Sequence, residues 1–196
     1  MNKLTKLFIT SISAITLALV SFTSSFAKVE GDYIVLGAAV SLTGKYSSNG
    51  VHTQNGYNLA VERINKMGGV EVGGKKYKFE IIYYDDESNS GRAAQLAERL
   101  IKQDGVKYML GPYSSGLTKA MAPVTEKYKI PMVEANGASR SLFTKGYKYL
   151  FAVLAPANLY LDVAIDLAVE KNGGKPVKVA MAFEQDAFSQ DVRLGI

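Results

Sequence analysis

VKYMLGPYSSGLTKAMAPV, residues 106–124, carries three kinds of local order in one run. VKYML is apolar and suits a buried strand. GPYSSG is a tight turn, and Leu117, Ala120, Met121 and Val124 then recur at the spacing of one helix face. A strand that feeds directly into a helix is half of a crossover unit, so the same alternation is expected along the rest of the chain.

It is there. YIVLGAAV (33–40), KFEIIYY (78–84), IPMV (130–133), YLFAV (149–153) and VKVAMAF (177–183) read as further strands, several apolar nearly throughout, as strands covered on both faces must be. Helical spacing links Tyr57, Ala60, Val61 and Ile64; then Ala93, Leu96, Ala97, Leu100 and Ile101; then Leu161, Ala164, Ile165 and Ala168. Gly68 and Gly69 stop the first helix, and VEVGGKKY reads as a small hairpin turning at Gly73 and Gly74. Such alternation predicts an α/β fold: an open parallel sheet with helices on both faces.

Residues 1–27 stand outside that pattern. MNKLTK is a short basic start, LFITSISAITLALV is apolar, and SFTSSFA ends in small residues, which predicts a secretory signal peptide cut after Ala27. There is no cysteine, hence no disulfide, no thiolate metal site and no lipid-bearing cysteine after the leader. Export without a lipid attachment point suggests the periplasm. The net charge of +5 includes Lys3 and Lys6 of the leader, the +3 that remains is mild, and its basic residues are scattered, which argues against nucleic acid as a partner. The final FSQDVRLGI reads as a helix that has just begun, so the expectation is a chain that stops in mid-fold.

In open parallel sheets ligands bind beyond the carboxyl ends of the strands, which singles out the loops 41–50, 85–89, 111–116, 134–139 and 184–189. GPYSSG lacks the spacing of a phosphate loop or a dinucleotide turn. Ser114 or Ser115 as a nucleophile needs a base, and the one histidine, His52, falls near the start of the first helix. Asp85, Asp86 and Glu87 read as strand-end acids, with Ser88 or Ser90 capping the next helix, ahead of a metal site. Anion binding is what remains for Ser115, because free amides and the dipole at a helix start favour negative charge and a hydroxyl adds a neutral donor. EANGAS offers a second serine, Ser139, and two such donors on neighbouring strand ends suit one carboxylate. Each is otherwise a plain helix or turn cap.

IVLGAAVSLTGKYSSNGVHTQNGYNLAVERINKMGGV, KFEIIYYDDESNSGRAAQLAERLI, GVKYMLGPYSSGLTKAMAP and IPMVEANGAS, taken in order, resemble the type I periplasmic binding proteins of the branched-chain amino acid (Leu/Ile/Val) class. That resemblance implies a two-lobed receptor, monomeric at full length, that closes on a small-molecule ligand and hands it to an inner-membrane ABC permease, with no catalysis, cofactor or metal. It places residues 28–156 in the first lobe and 157–196 at the beginning of the second. Ser115 and Ser139 match the hydroxyl residues that hold the ligand carboxylate, and the Gly137 carbonyl matches the acceptor for the ligand ammonium, with Ala138 beside it. Tyr113 and Ser114 fall on the pocket wall, Phe188 matches an aromatic of the second lobe, and Asn49 stands where an aromatic often covers the ligand. Tyr113 is bulkier than the aliphatic residue of a leucine site, which opens the ligand class to other amino acids and to aromatic acids. With much of the second lobe absent, weak binding is expected. Two rival readings keep the residues but change the role: an exported sensor feeding a signalling partner, and a hydrolase using Ser114 or Ser115 with His52.

Overall fold

The computed structural model describes residues 29–196. The leader expected over 1–27 lies outside them, and no helix among the described residues is long and apolar enough to cross a membrane.

The centre of the molecule is β2 (Tyr33–Val40), which pairs in parallel along its whole length with β4 (Lys75–Asp85), from Tyr33 opposite Lys78 to Val40 opposite Asp85. On the other side of β2 come β5 (Met109–Leu110), β6 (Met132–Glu134) and β7 (Leu150–Ala152), all parallel. β1 (Val29–Glu30) folds back antiparallel on the start of β2. β3 (Val70–Val72) closes the far edge as the expected hairpin with β4. Its turn holds Gly73 at φ 60° and Gly74 at φ 79°, two successive left-handed positions that only glycine adopts without strain. The sheet order is β3-β4-β2-β5-β6-β7.

One face of this sheet carries the core. α2 (Ser90–Lys102) buries Ala93, Leu96, Ala97, Leu100 and Ile101, the five positions its spacing predicts. α3 (Ser115–Tyr128) buries Leu117, Met121 and Ala122. These side chains pack with Val35, Ala39, Met109 and Met132 of the strands. Asn89 caps α2 by accepting from the Arg92 amide, whereas Ser88 or Ser90 was the expected cap. Ser88 is drawn away, its hydroxyl donating to the Thr43 carbonyl at 2.7 Å and accepting from the Tyr46 amide at 3.0 Å.

The opposite face departs from expectation. α1 (Ser47–Lys66) buries Gly50 and Thr53, while Tyr57, Val61 and Ile64 are half-buried and Ala60 is exposed. α1 lies over β2 and β4, so Val133 of β6 and its ladder partner Phe151 of β7 remain 40% and 51% exposed. Coverage on both faces therefore holds for β2 and fails toward β7.

Beyond β7, α4 (Asp162–Lys171) and α5 (Ala187–Leu194) follow, and neither buries a residue. The stripe predicted on α4 is at most half-buried, with Ala164 and Ala168 exposed. VKVAMAF at 177–183 is not a strand: among the described residues no neighbour offers it a ladder, and a lone extended segment has no partner for its amides and carbonyls.

Candidate functional site

The strand ends converge. Tyr46 from the loop after β2, Tyr113 to Gly116 from the loop after β5, Asn136 from the loop after β6, and Glu184, Asp186, Phe188 and Ser189 from the segment entering α5 surround one cleft of about 310 Å3.

The β5–α3 turn forms its first wall. Ser114 takes φ 78° and ψ 146°, a conformation that strains any residue with a side chain, and its hydroxyl caps α3 by accepting from the Leu117 amide at 3.3 Å. Ser115 and Gly116 are the first two residues of the helix, so their amides have no carbonyl to bond within it and face the cleft with the positive end of the dipole. The Ser115 hydroxyl accepts from the Ser139 amide at 3.0 Å, which locks the α3 turn to the loop after β6.

The second wall is acidic. Asp186 caps α5, accepting from the amides of Phe188 and Ser189 at 2.8 and 3.0 Å and from the Ser189 hydroxyl at 2.8 Å. Burial works against its charge, but these bonds outweigh that and hold its carboxyl below the usual range. Glu184 lies 3.9 Å from Lys45 across the mouth, an exposed pair of small energetic weight. The third wall is aromatic, with Tyr46 and Tyr113 edge to face at 5.5 Å between centroids and Phe188 set likewise against Tyr160 at 5.7 Å.

Beneath the cleft, Glu134 is wholly buried at the end of β6. Its carboxylate accepts from the amides of Asn136 and Gly137 and, at 2.6 Å, from the Thr118 hydroxyl of α3. Burial raises its pKa from the usual 4.5 to about 7, against the pull of those same bonds.

Of the residues expected in the site, Tyr113, Ser114, Ser115 and Phe188 line the cleft together. Asn49 lies on a neighbouring cavity with His52, Tyr57 and Tyr113. Ser139 is buried beside it, its hydroxyl donating to Asp191 of α5 at 2.7 Å. Gly137 and Ala138 are buried too, and the Ala138 carbonyl accepts from the Ala157 amide. Sequence reasoning missed Tyr46, Gly116, Asn136, Glu184, Asp186 and Ser189. All six lie in loops it had singled out, and Asp186, directly before a helix start, carried a capping signal of its own.

The other chemistries find less support in the geometry. Neither serine hydroxyl is bonded to His52 among the described residues; Ser114 Oγ accepts from the Leu117 amide and Ser115 Oγ from the Ser139 amide. Asp85 is saturated with donors, accepting from the amides of Leu42, Thr43 and Glu87 and from the Thr43 hydroxyl. Burial opposes its charge and the bonds overcome it, so its carboxyl stays below the usual range. Asp86 binds the Ser41 hydroxyl at 2.6 Å, and burial raises its pKa. Among the described residues no group of three or more acids or histidines could hold a metal.

A family model described as periplasmic binding protein matches residues 33–196. The chain is 26% identical over 196 residues to a Leu/Ile/Val-binding protein homologue of Brucella suis, covering 97% of this chain and 46% of that protein. It is 27% identical to the leucine-, isoleucine-, valine-, threonine- and alanine-binding protein of Pseudomonas aeruginosa, over 76% of this chain and 38% of that one. The chain thus spans less than half the length of the curated relatives it matches. Among solved structures it resembles a branched-chain amino acid transporter substrate-binding protein of Streptococcus pneumoniae in complex with isoleucine, with TM-score 0.58, 27% identity and coverage of 67% and 38% of the two chains. It also resembles an ABC transporter solute-binding protein of Rhodopseudomonas palustris in complex with 3,4-dihydroxybenzoic acid, with TM-score 0.69, 27% identity and coverage of 84% and 42%.

Proposed function

This chain belongs to the periplasmic binding protein family, and from that premise we propose that it is the solute-binding component of an ABC importer, holding an amino acid or related small carboxylate in the cleft. The observation that carries the reading is the opposition of two walls. The start of α3 offers unpaired amides and a positive dipole end, while Glu184 and Asp186 offer negative charge on the far side. A zwitterion matches both at once: its carboxylate lies against Ser115 and Gly116, and its ammonium faces the acids. Ser139 holds the Ser115 hydroxyl in place through its amide, the Gly137 carbonyl with Ala138 beside it is a further acceptor for the ammonium, and Asn49 borders the neighbouring cavity that Tyr113 shares. Residues 28–156 act as the first lobe and 157–196 as the start of the second. Closure of the lobes excludes water and strengthens each polar contact. The loaded protein then docks on a membrane permease from the periplasm.

The aromatic wall supports a second ligand class. Tyr46, Tyr113 and Phe188 line the cleft, which also suits a hydroxybenzoate; one structural relative is in complex with 3,4-dihydroxybenzoic acid.

Ser115→Ala and Ser139→Ala are each expected to weaken ligand binding by roughly 1–3 kcal/mol with the fold intact, because the first removes the acceptor that ties the α3 turn to the Ser139 amide and the second removes the hydroxyl that ties the loop after β6 to Asp191 of α5. Calorimetry on the protein carrying both lobes checks this. Unchanged affinity in both variants removes the serines from the site.

A further inference from the structure

Glu134 sits between the two loops that face the cleft, and each loop makes room for it. A β-carbon at Gly111, the first residue of the β5–α3 turn, would overlap the Glu134 carboxylate. One at Gly137 would fall 2.6 Å from the Thr118 hydroxyl oxygen and 3.0 Å from the Glu134 carboxyl carbon. One carboxylate oxygen takes the Asn136 and Gly137 amides of one loop, and the other meets the Thr118 hydroxyl. That hydroxyl also lies 2.9 Å from the Ser114 carbonyl, at the strained residue that opens α3.

Thr118 has one hydroxyl proton and two acceptors for it. With Glu134 protonated, its O–H donates to the Thr118 oxygen, Thr118 donates to the Ser114 carbonyl, and the carbonyl oxygen of the acid still accepts from both amides. Every bond in the chain is then made. When Glu134 loses its proton to solvent, Thr118 turns its own proton to the carboxylate, and the hydroxyl bond to the Ser114 carbonyl is lost. The carboxylate pulls harder on Asn136 and Gly137 at the same time.

We propose that Glu134 is a positioning residue whose protonation state sets the β5–α3 turn and the loop after β6 together, so that the geometry of the ligand cleft follows pH. Its effect on a ligand rests on the binding function proposed above, but the coupling of the loops does not.

The groups facing Glu134 make it the one that titrates. From α1, Tyr57 donates to the Gly111 carbonyl at 2.8 Å, and burial, with the Glu134 charge adding to it, keeps that phenol neutral far above neutral pH. From α3 comes the neutral Thr118. No charged side chain among the described residues offsets the burial of Glu134, whose pKa falls at about 7.

Amide resonances followed by NMR from pH 5 to pH 9, without ligand, test the coupling. Ser114, Ser115, Asn136 and Gly137 are expected to shift with one common midpoint near neutrality. Glu134→Gln, which keeps an acceptor for the amides and a donor for Thr118, abolishes the shift in all four. Thr118→Val silences Ser114 and Ser115 while Asn136 and Gly137 still titrate. Independent midpoints for the two loops in the wild type, or a shift that survives in Glu134→Gln, overturn the proposal. The wild-type titration decides it alone if a variant does not fold, and it does so whether or not the cleft takes a carboxylate.

Discussion

Gly111→Ala is expected to lower the stability of the protein by roughly 3–5 kcal/mol, more than an ordinary overpacking change. Its backbone is not in a conformation reserved for glycine, so the loss comes from space. The added carbon would collide with the Glu134 carboxylate and approach the Glu134 backbone, which leaves a buried acid no room beside its three hydrogen-bond donors. Displacing the carboxylate strands the amides of Asn136 and Gly137 in a dry site, while the Thr118 hydroxyl falls back on the Ser114 carbonyl. Denaturant unfolding of Gly111→Ala, Glu134→Ala and the double variant measures this. The double variant should lose clearly less than the sum of the singles, since the clash is gone once either partner is removed. Additive losses would mean that the glycine is needed for something other than the acid.

Glu134 itself should leave a signature in stability against pH. Its carboxyl titrates at about 7 in the folded protein and near 4.5 when unfolded. Between those values only the folded state holds the proton, so stability falls as pH rises, and above 7 neither state holds it and the loss is complete. The shift corresponds to roughly 3 kcal/mol between pH 4.5 and pH 8. Asp85 and Asp186, whose carboxyls are held below the usual range, act in the opposite sense and at lower pH, where protonation removes their contribution. The difference in unfolding free energy between Glu134→Gln and wild type isolates the buried acid and should widen by that amount across the window. Parallel curves would contradict its burial as a proton-binding group.

Much of the fold was legible because side-chain period reports which face is covered. α2 buries the five residues its spacing marks, and Gly73–Gly74 between alternating segments marks a hairpin. Period says nothing of whether a neighbour exists. VKVAMAF is apolar nearly throughout, like a covered strand, and pairs with nothing described, and the stripe on α4 faces no core. At the site, the rule that ligands lie beyond strand ends picked four loops that do line the cleft, at 41–50, 111–116, 134–139 and 184–189. Which side chains enter it was not legible. The Ser139 hydroxyl is turned by Asp191, far along the chain, and nothing in EANGAS tells whether its glutamate points to solvent or into the core.

The proposed function requires that the cleft close on an amino acid or related small carboxylate. A thermal-shift measurement on the protein translated from the complete open reading frame, against leucine, isoleucine, phenylalanine, glutamate, 4-hydroxybenzoate and 3,4-dihydroxybenzoate, tests it most directly. A rise in melting temperature is expected that grows with the concentration of at least one of these compounds and shrinks in Ser115→Ala. No rise with any of them, or a rise unaffected by Ser115→Ala, would contradict it.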